Sequence, residues 1–343
     1  GVGTIPSNAI GVTGNVTVVG QQAAGYVAVT PNAVVNPTSS TINFPVGDVR
    51  ANNFTLPLGT AGKLSAVYKA PAGKKAQVIV DITGYFTAGS TNGTYTTVTP
   101  SRILDSRGAG LGLIGRFNAG TGRSLQVTGA GGVPAGATAI TGNLTVVNQQ
   151  AAGYLSVTPD VPVGTPPSSS LNFPVGDVRA NGLTAALNAA GQLAITYTAP
   201  AGKTADVILD VTGYYAAGGG GLLFYPLSPG RLLDSRSTVL TAYHGKFAGG
   251  VPHGIPTSTH QGVAPGAQAM TGNLTVVNQT RAGYVADTPT PTGTPTTSTI
   301  NFPVGDIRAN GVTVPLATGS QALVYIGGSG TADLILDVTG YFK

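Results

Sequence analysis

One stretch of this chain occurs three times, and that recurrence limits the possible folds more than any other feature. Thr13-Gly-Asn-Val-Thr-Val-Val19 returns, with Leu for the first Val, as Thr141–Val147 and Thr271–Val277, which spaces Asn15, Asn143 and Asn273 by 128 (143 − 15) and 130 (273 − 143) residues. Three further blocks keep the same order: Ala24–Tyr26, Ala152–Tyr154 and Ala282–Tyr284; Asn43–Asn52, Asn172–Asn181 and Asn301–Asn310; Asp81–Phe86, Asp210–Tyr215 and Asp337–Phe342. A fourth block, Arg102-Ile-Leu-Asp-Ser-Arg107, recurs only as Arg231–Arg236. Solenoid and propeller units repeat every roughly 20 to 50 residues. A period this long makes each copy a domain that buries its own core.

Within a copy, short runs of β-branched and aromatic residues alternate with Gly, Pro, Asn and Ser clusters, and no segment holds a helical period. In the second copy this pattern predicts strands near Arg102–Asp105, Ser124–Val127, Ala139–Val147, Tyr154–Val157, Ser170–Phe173, Thr184–Leu187, Gln192–Tyr197 and Ala205–Thr212. About eight strands with one apolar face each pack as two sheets. The expected fold is therefore all-β, a tandem array of three antiparallel β-sandwich, jelly-roll-like domains at 1–88, 95–217 and 223–343. Gly-, Ser- and Thr-rich linkers are expected at Thr87–Thr97 and Ala216–Gly221. The first copy lacks the opening strands. The third diverges before Gly262, where a Pro- and His-bearing stretch replaces the match to Ser124–Val127.

Composition narrows the function classes. Only 8% of residues are charged, against roughly 25% in an average soluble protein, so little charge repulsion keeps sheet edges apart. The 17 basic and 12 acidic residues are scattered without a polybasic run, which argues against nucleic acid as a partner. No apolar run approaches the roughly 18 residues that cross a bilayer. With no Cys, neither disulfides nor thiolate metal sites are expected, in keeping with a secreted bacterial protein. The start at Gly1 fits a processed product from which a signal peptide is absent.

The blocks resemble a repeat domain of secreted and cell-surface proteins of actinobacteria, Chloroflexota and related bacteria, whose pattern runs "TPxRLLDTR", "GVP", "NVT", "GYLTVxP", "NFxxGxxxAN" and "DVxGYF". Here the residues are Thr99–Arg107, Gly132-Val-Pro134, Asn143-Leu-Thr145, Gly153–Pro159, Asn172-Phe173, Ala180-Asn181 and Asp210–Tyr215. The resemblance covers nearly the whole chain. It implies an exported β-rich domain, often repeated or appended to enzymes, with no established chemistry of its own.

The recurring charges invite two readings. Asp48, Arg50 and Asn52 alternate, as do Asp177, Arg179, Asn181 and Asp306, Arg308, Asn310, which places each set on one face of an extended segment. A thrice-repeated ligand face is one reading; structural ion pairing is the expected one in so charge-poor a chain. Arg102, Asp105 and Arg107, with Arg231, Asp234 and Arg236, are read likewise. Asp81, Asp210 and Asp337 on the final strand stand to face those arginines.

His244, His253 and His260 are the only imidazoles. They are weak metal candidates whose spacing matches no metal signature, and they are expected in loops. Gly110–Gly115 spells GxGxxG without the helix that motif needs, and Ala201–Thr204 lacks the leading Gly of a phosphate loop. There is no Cys, no GxSxG elbow and no carboxylate pair free of arginines, so neither an enzyme nor a cofactor is expected. Tyr26, Tyr154 and Tyr284 are candidates for stacking on sugars. Asn-x-Thr triplets start at Asn15, Asn53, Asn92, Asn143, Asn273 and Asn278, and fold constraint is enough to explain the recurring ones.

These readings converge on an extracellular or cell-surface structural protein. The chain is expected to be a subunit of a filament, surface layer or adhesive stalk that assembles with itself, head to tail, through β-strand edges. The alternative is a cell-wall or carbohydrate-binding array, standing alone or as an accessory part of a larger secreted protein.

Overall fold

The computed structural model describes residues 5–90, 93–108, 110–239 and 243–343. Strands fall into three groups. The first is β1 (Ala9–Val19), β2 (Gly25–Thr30), β3 (Ile42–Phe44), β4 (Arg50–Pro57), β5 (Ser65–Lys69) and β6 (Gln77–Thr87). The second is β7 (Thr94–Asp105), β8 (Phe117–Asn118), β9 (Gly122–Gln126), β10 (Ala137–Val147), β11 (Gly153–Thr158), β12 (Leu171–Phe173), β13 (Arg179–Ala186), β14 (Gln192–Thr198) and β15 (Thr204–Ala216). The third is β16 (Phe224–Asp234), β17 (Phe247–Ala248), β18 (Pro252–Pro256), β19 (Ala269–Val277), β20 (Gly283–Thr288), β21 (Ile300–Phe302), β22 (Arg308–Pro315), β23 (Ser320–Ile326) and β24 (Thr331–Phe342). A 3-10 turn at Thr60–Gly62 is the one helical segment among the described residues, and no helix there is long and apolar enough to cross a membrane.

The fold is all-β, as expected, and each group is an antiparallel sandwich. In the second, one sheet runs β13-β10-β15-β7 with β8 appended, and the other runs β12-β11-β14-β9. Apart from β7–β8 and the β11–β12 hairpin, strands consecutive in sequence pass from one sheet to the other, which is jelly-roll winding. The third group repeats it as β22-β19-β24-β16 facing β21-β20-β23-β18. The first has three strands per sheet, β4-β1-β6 and β3-β2-β5. Among the described residues no strand pairs with the outer edge of β6 or of β5.

The strand sequences explain the layering. In β10, Ile140, Leu144 and Val146 lie in the core of the sandwich, and the intervening Thr141, Asn143 and Thr145 are also buried, Thr141 against Tyr95 and Thr212 of its own repeat and Asn143 against Ser298 of the third. The recurring Thr-Gly-Asn carries a bulge: pairing with the final strand slips between Thr13 and Gly14, Thr141 and Gly142, and Thr271 and Gly272. At Gly142 a Cβ would lie 2.3 Å from the Asp210 carbonyl oxygen, so only glycine lets the strands close there.

Two expectations need correction. Strand β7 starts at Thr94, inside the expected linker Thr87–Thr97, of which Thr91 and Asn92 lie outside the described residues. Thr94–Thr97 is a polar run, yet β-branched threonines suit an edge strand. The divergent stretch before Gly262 also forms a strand. β18 pairs with β23 as β9 pairs with β14, and buried Ile255 takes the place of Leu125. Its end prolines, Pro252 and Pro256, are tolerated because the strand lies on an edge.

Candidate functional site

The three sandwiches close around a pseudo-threefold axis, and the recurring charges lie on it. Arg50 pairs with Asp48 at 2.6 Å and with Asp306 of the third repeat at 2.9 Å. Arg179 pairs with Asp177 at 2.7 Å and with Asp48 of the first at 2.8 Å. Arg308 pairs with Asp306 at 2.6 Å and with Asp177 of the second at 2.8 Å. Six charges thus alternate in a closed ring of zero net charge, with the arginine side chains 3 to 4% exposed. Burial pushes the Asp48 carboxyl up, but Arg179 and Arg50 outweigh it and hold it below the usual range.

A ring of amides lies beside the charges. Asn52 donates to Asn273 Oδ1 at 2.9 Å, Asn181 to Asn15 Oδ1 at 3.0 Å, and Asn310 to Asn143 Oδ1 at 2.9 Å. Their own Oδ1 atoms accept the backbone N–H of Gly311, Asn53 and Gly182 across the same interfaces. Here the backbones approach so closely that a Cβ on Gly311 would meet the Asn53 carbonyl oxygen at 2.1 Å. Asn15, Asn143 and Asn273 are therefore joints between repeats; their Nδ2 atoms donate to Ser169, Ser298 and Ser40 carbonyls. They are closed to glycans. Asn53 and Asn278 are also engaged, with Gly14 and Asp333, and Asn92 lies outside the described residues.

The closing aromatic of each repeat also reaches the axis. Phe86, Tyr215 and Phe342 stand 6.0 to 6.3 Å apart, centroid to centroid. Tyr95 of β7 covers Tyr215 and Phe342 at 5.0 and 4.4 Å, and Phe224 of β16 covers Phe342 and Phe86 at 5.4 and 4.3 Å. Sequence reading missed this cluster. Its signal was the aromatic seven residues before each opening arginine.

The opening block meets the final strand. Arg102 Nε donates to Asp210 at 2.9 Å and Arg231 Nε to Asp337 at 2.8 Å; Arg107 and Arg236 fold back on Asp105 and Asp234 at 2.6 and 2.7 Å. Burial pushes the Asp210 and Asp337 carboxyls up, and their arginines partly offset it. Asp81 occupies the same position on β6. It is half-buried, burial alone pushes its carboxyl up, and it makes no hydrogen bond or ion pair among the described residues. Around it, Val80 is 43% and Ile82 39% exposed, whereas Leu209, Val211, Leu336 and Val338 at the equivalent places are 0% exposed.

The remaining candidates are dispersed. His253 lies on β18, not in a loop, with its ring 3.9 Å from Tyr243 and 5.0 Å from Phe247, and burial lowers its pKa. His260 Nδ1 lies 3.0 Å from the Ser258 carbonyl oxygen in a turn. Neither they nor His244 belong to a cluster able to hold a metal, and no such cluster occurs among the described residues. Tyr26, Tyr154 and Tyr284 are half-buried. Tyr154 lines an open groove of about 490 Å³ with Val46, Val49 and Phe173, between the first and second repeats. Gly110–Gly115 is a loop between β7 and β8.

No protein-family model matches this chain, and its comparison with curated proteins finds no match.

Proposed function

We propose that this chain is a non-catalytic structural subunit of a bacterial surface filament, layer or stalk, joined to its neighbours through the open sheet edge of the first repeat. The observation that supports this is the state of β6. It is a strand of eleven residues with no strand on its outer edge among the described residues, carrying exposed Ile79, Val80, Ile82 and Tyr85. A long, apolar, unpaired edge is a template for another strand. The charge-poor surface adds little repulsion to stop that pairing. An extracellular setting accords with the absence of Cys.

The test is sedimentation velocity and electron microscopy of the purified chain across a concentration series at modest salt. Linear assemblies that shrink when Val80 and Ile82 are both changed to Lys support the reading. Monomers at every concentration, alone and with a cell-surface extract, overturn it. The groove beside Tyr154 favours a second reading, a wall-glycan array, which predicts pull-down by peptidoglycan or polysaccharide and its loss in Tyr154→Ala.

A further inference from the structure

The loops that lead into β4, β13 and β22 form one end of the pseudo-threefold axis. Gly11 pairs with both Pro57 and Phe86, and Val18 pairs with Arg50, so the closing aromatics mark one end of the axis and the charge ring the other. At the ring end, Phe44-Pro-Val-Gly-Asp-Val-Arg50 recurs as Phe173–Arg179 and, with Ile for the second Val, as Phe302–Arg308. Val46, Val175 and Val304 are 59 to 61% exposed, and Val49, Val178 and Ile307 are 42 to 49% exposed. The first repeat, without the opening strands, exposes them as the other two do. The exposure of this face is therefore independent of those strands.

The turn itself does not call for these side chains. Gly47, Gly176 and Gly305 take φ of +77, +77 and +80°, as the second central residue of a type II turn does, and the position before it needs no apolar residue. Six exposed aliphatic side chains gathered about one axis mark an association surface. Knobs and grooves alternate around it. The carbonyl oxygens of Val49, Val178 and Ile307 accept from Arg179, Arg308 and Arg50 of the adjoining repeat, which fixes each loop against its neighbour. Between the first loop and the second repeat lies the groove of about 490 Å³ beside Tyr154 and Phe173. Tyr284 with Phe302 and Tyr26 with Phe44 hold the equivalent places in sequence.

We infer that this end of the axis docks onto the same end of a second copy of the chain. A twofold perpendicular to the axis turns the face onto itself and sets each valine of one copy over a groove of the other. The same rotation sets each aspartate of the ring over an arginine of the facing ring, so the two rings complement each other in charge. A charged partner meets no unpaired charge in the ring, and only a partner with the same three-way spacing engages every knob and groove at once. The contact is isologous, closes at two copies and does not involve β6.

The test uses the full chain carrying Val80→Lys and Ile82→Lys, in which the β6 edge is charged and cannot contribute. Sedimentation equilibrium should still show monomers and dimers. Adding Val46→Glu, Val175→Glu and Val304→Glu sets like charges against one another and should weaken dimerisation by about a hundredfold or more, with the melting temperature of the dilute monomer unchanged. The chain has no Cys, so a Val46→Cys thiol reports on this face alone. Its reaction with a maleimide should slow as protein concentration rises, whereas Val163→Cys, on the exposed loop between β11 and β12, should react at one rate. A dimer that survives the three glutamates forms elsewhere and overturns the inference. So does a monomer at every concentration; if the glutamates then abolish polysaccharide pull-down, the face is a glycan site instead.

Discussion

The same strand occurs three times in this molecule and is covered twice. In β15 and β24 the apolar residues of both faces are buried and the aspartate is bonded to arginine; in β6 the corresponding apolar side chains are exposed and the aspartate has no partner among the described residues. The difference between β6 and β15 therefore comes from neighbours, since their sequences are alike. Among the described residues the first repeat holds a core cluster of nine buried apolar residues against 23 in the second, and it relies correspondingly more on the ring joining it to the others.

Breaking the covered edge should have the largest effect. Arg102→Ala leaves the buried Asp210 carboxyl without its partner, and a loss of about 3–5 kcal/mol is expected in denaturant unfolding. Asp81→Asn at the open edge should change stability by less than about 0.5 kcal/mol. An equal cost at both positions would show that β6 is covered after all. Core truncation sharpens the contrast: Leu209→Ala should cost about 2–5 kcal/mol, whereas its counterpart Val80→Ala, already exposed, should cost under about 1 kcal/mol. Hydrogen exchange should accordingly release β6 amides before those of β15.

The next effect tests how far the first repeat depends on the axis. Gly311→Ala drives a Cβ against the Asn53 backbone, and about 1–3 kcal/mol of overpacking is expected. If docking to the axis holds the first repeat together, its amides lose protection first.

The smallest effect concerns the third repeat. Asp287 stands where the other repeats have Val29 and Val157; it is buried, faces the Gln321 amide at 2.9–3.0 Å, and burial pushes its carboxyl well above the usual range. A raised folded-state pKa means that the unfolded chain gives up its proton first. Stability should therefore fall as pH rises from the unfolded value of about 3.9 towards the folded one. Asp287→Asn should remove that decline and melt higher than the parent at pH 7. A parent with the same pH profile as the variant would contradict this.

Much of this was legible in the residues. The period marked three bodies, the strand alternation marked sandwiches, and the twice-only Arg-Ile/Leu-Leu-Asp block marked which final strand has no arginine beside it. The joints were not legible. Asp48 lies two residues from Arg50, so proximity in sequence suggests a pair within one repeat. That Asp48 also holds Arg179 is a property of how the bodies meet, and identical copies carry no mark of which neighbour they face. The polar threonines of Thr94–Thr97 and the prolines of β18 hid edge strands, because edges do not need the alternation that marks a buried strand.

The ring of Arg50, Arg179 and Arg308 has one more consequence, which concerns concentration. In three separate copies, closure of that ring would depend on how much protein is present. Tethering the three bodies in one polypeptide makes closure intramolecular, at an effective concentration set by the connecting segments. Each body can then diverge in sequence, as the stretch before Gly262 has, without losing its place at the axis.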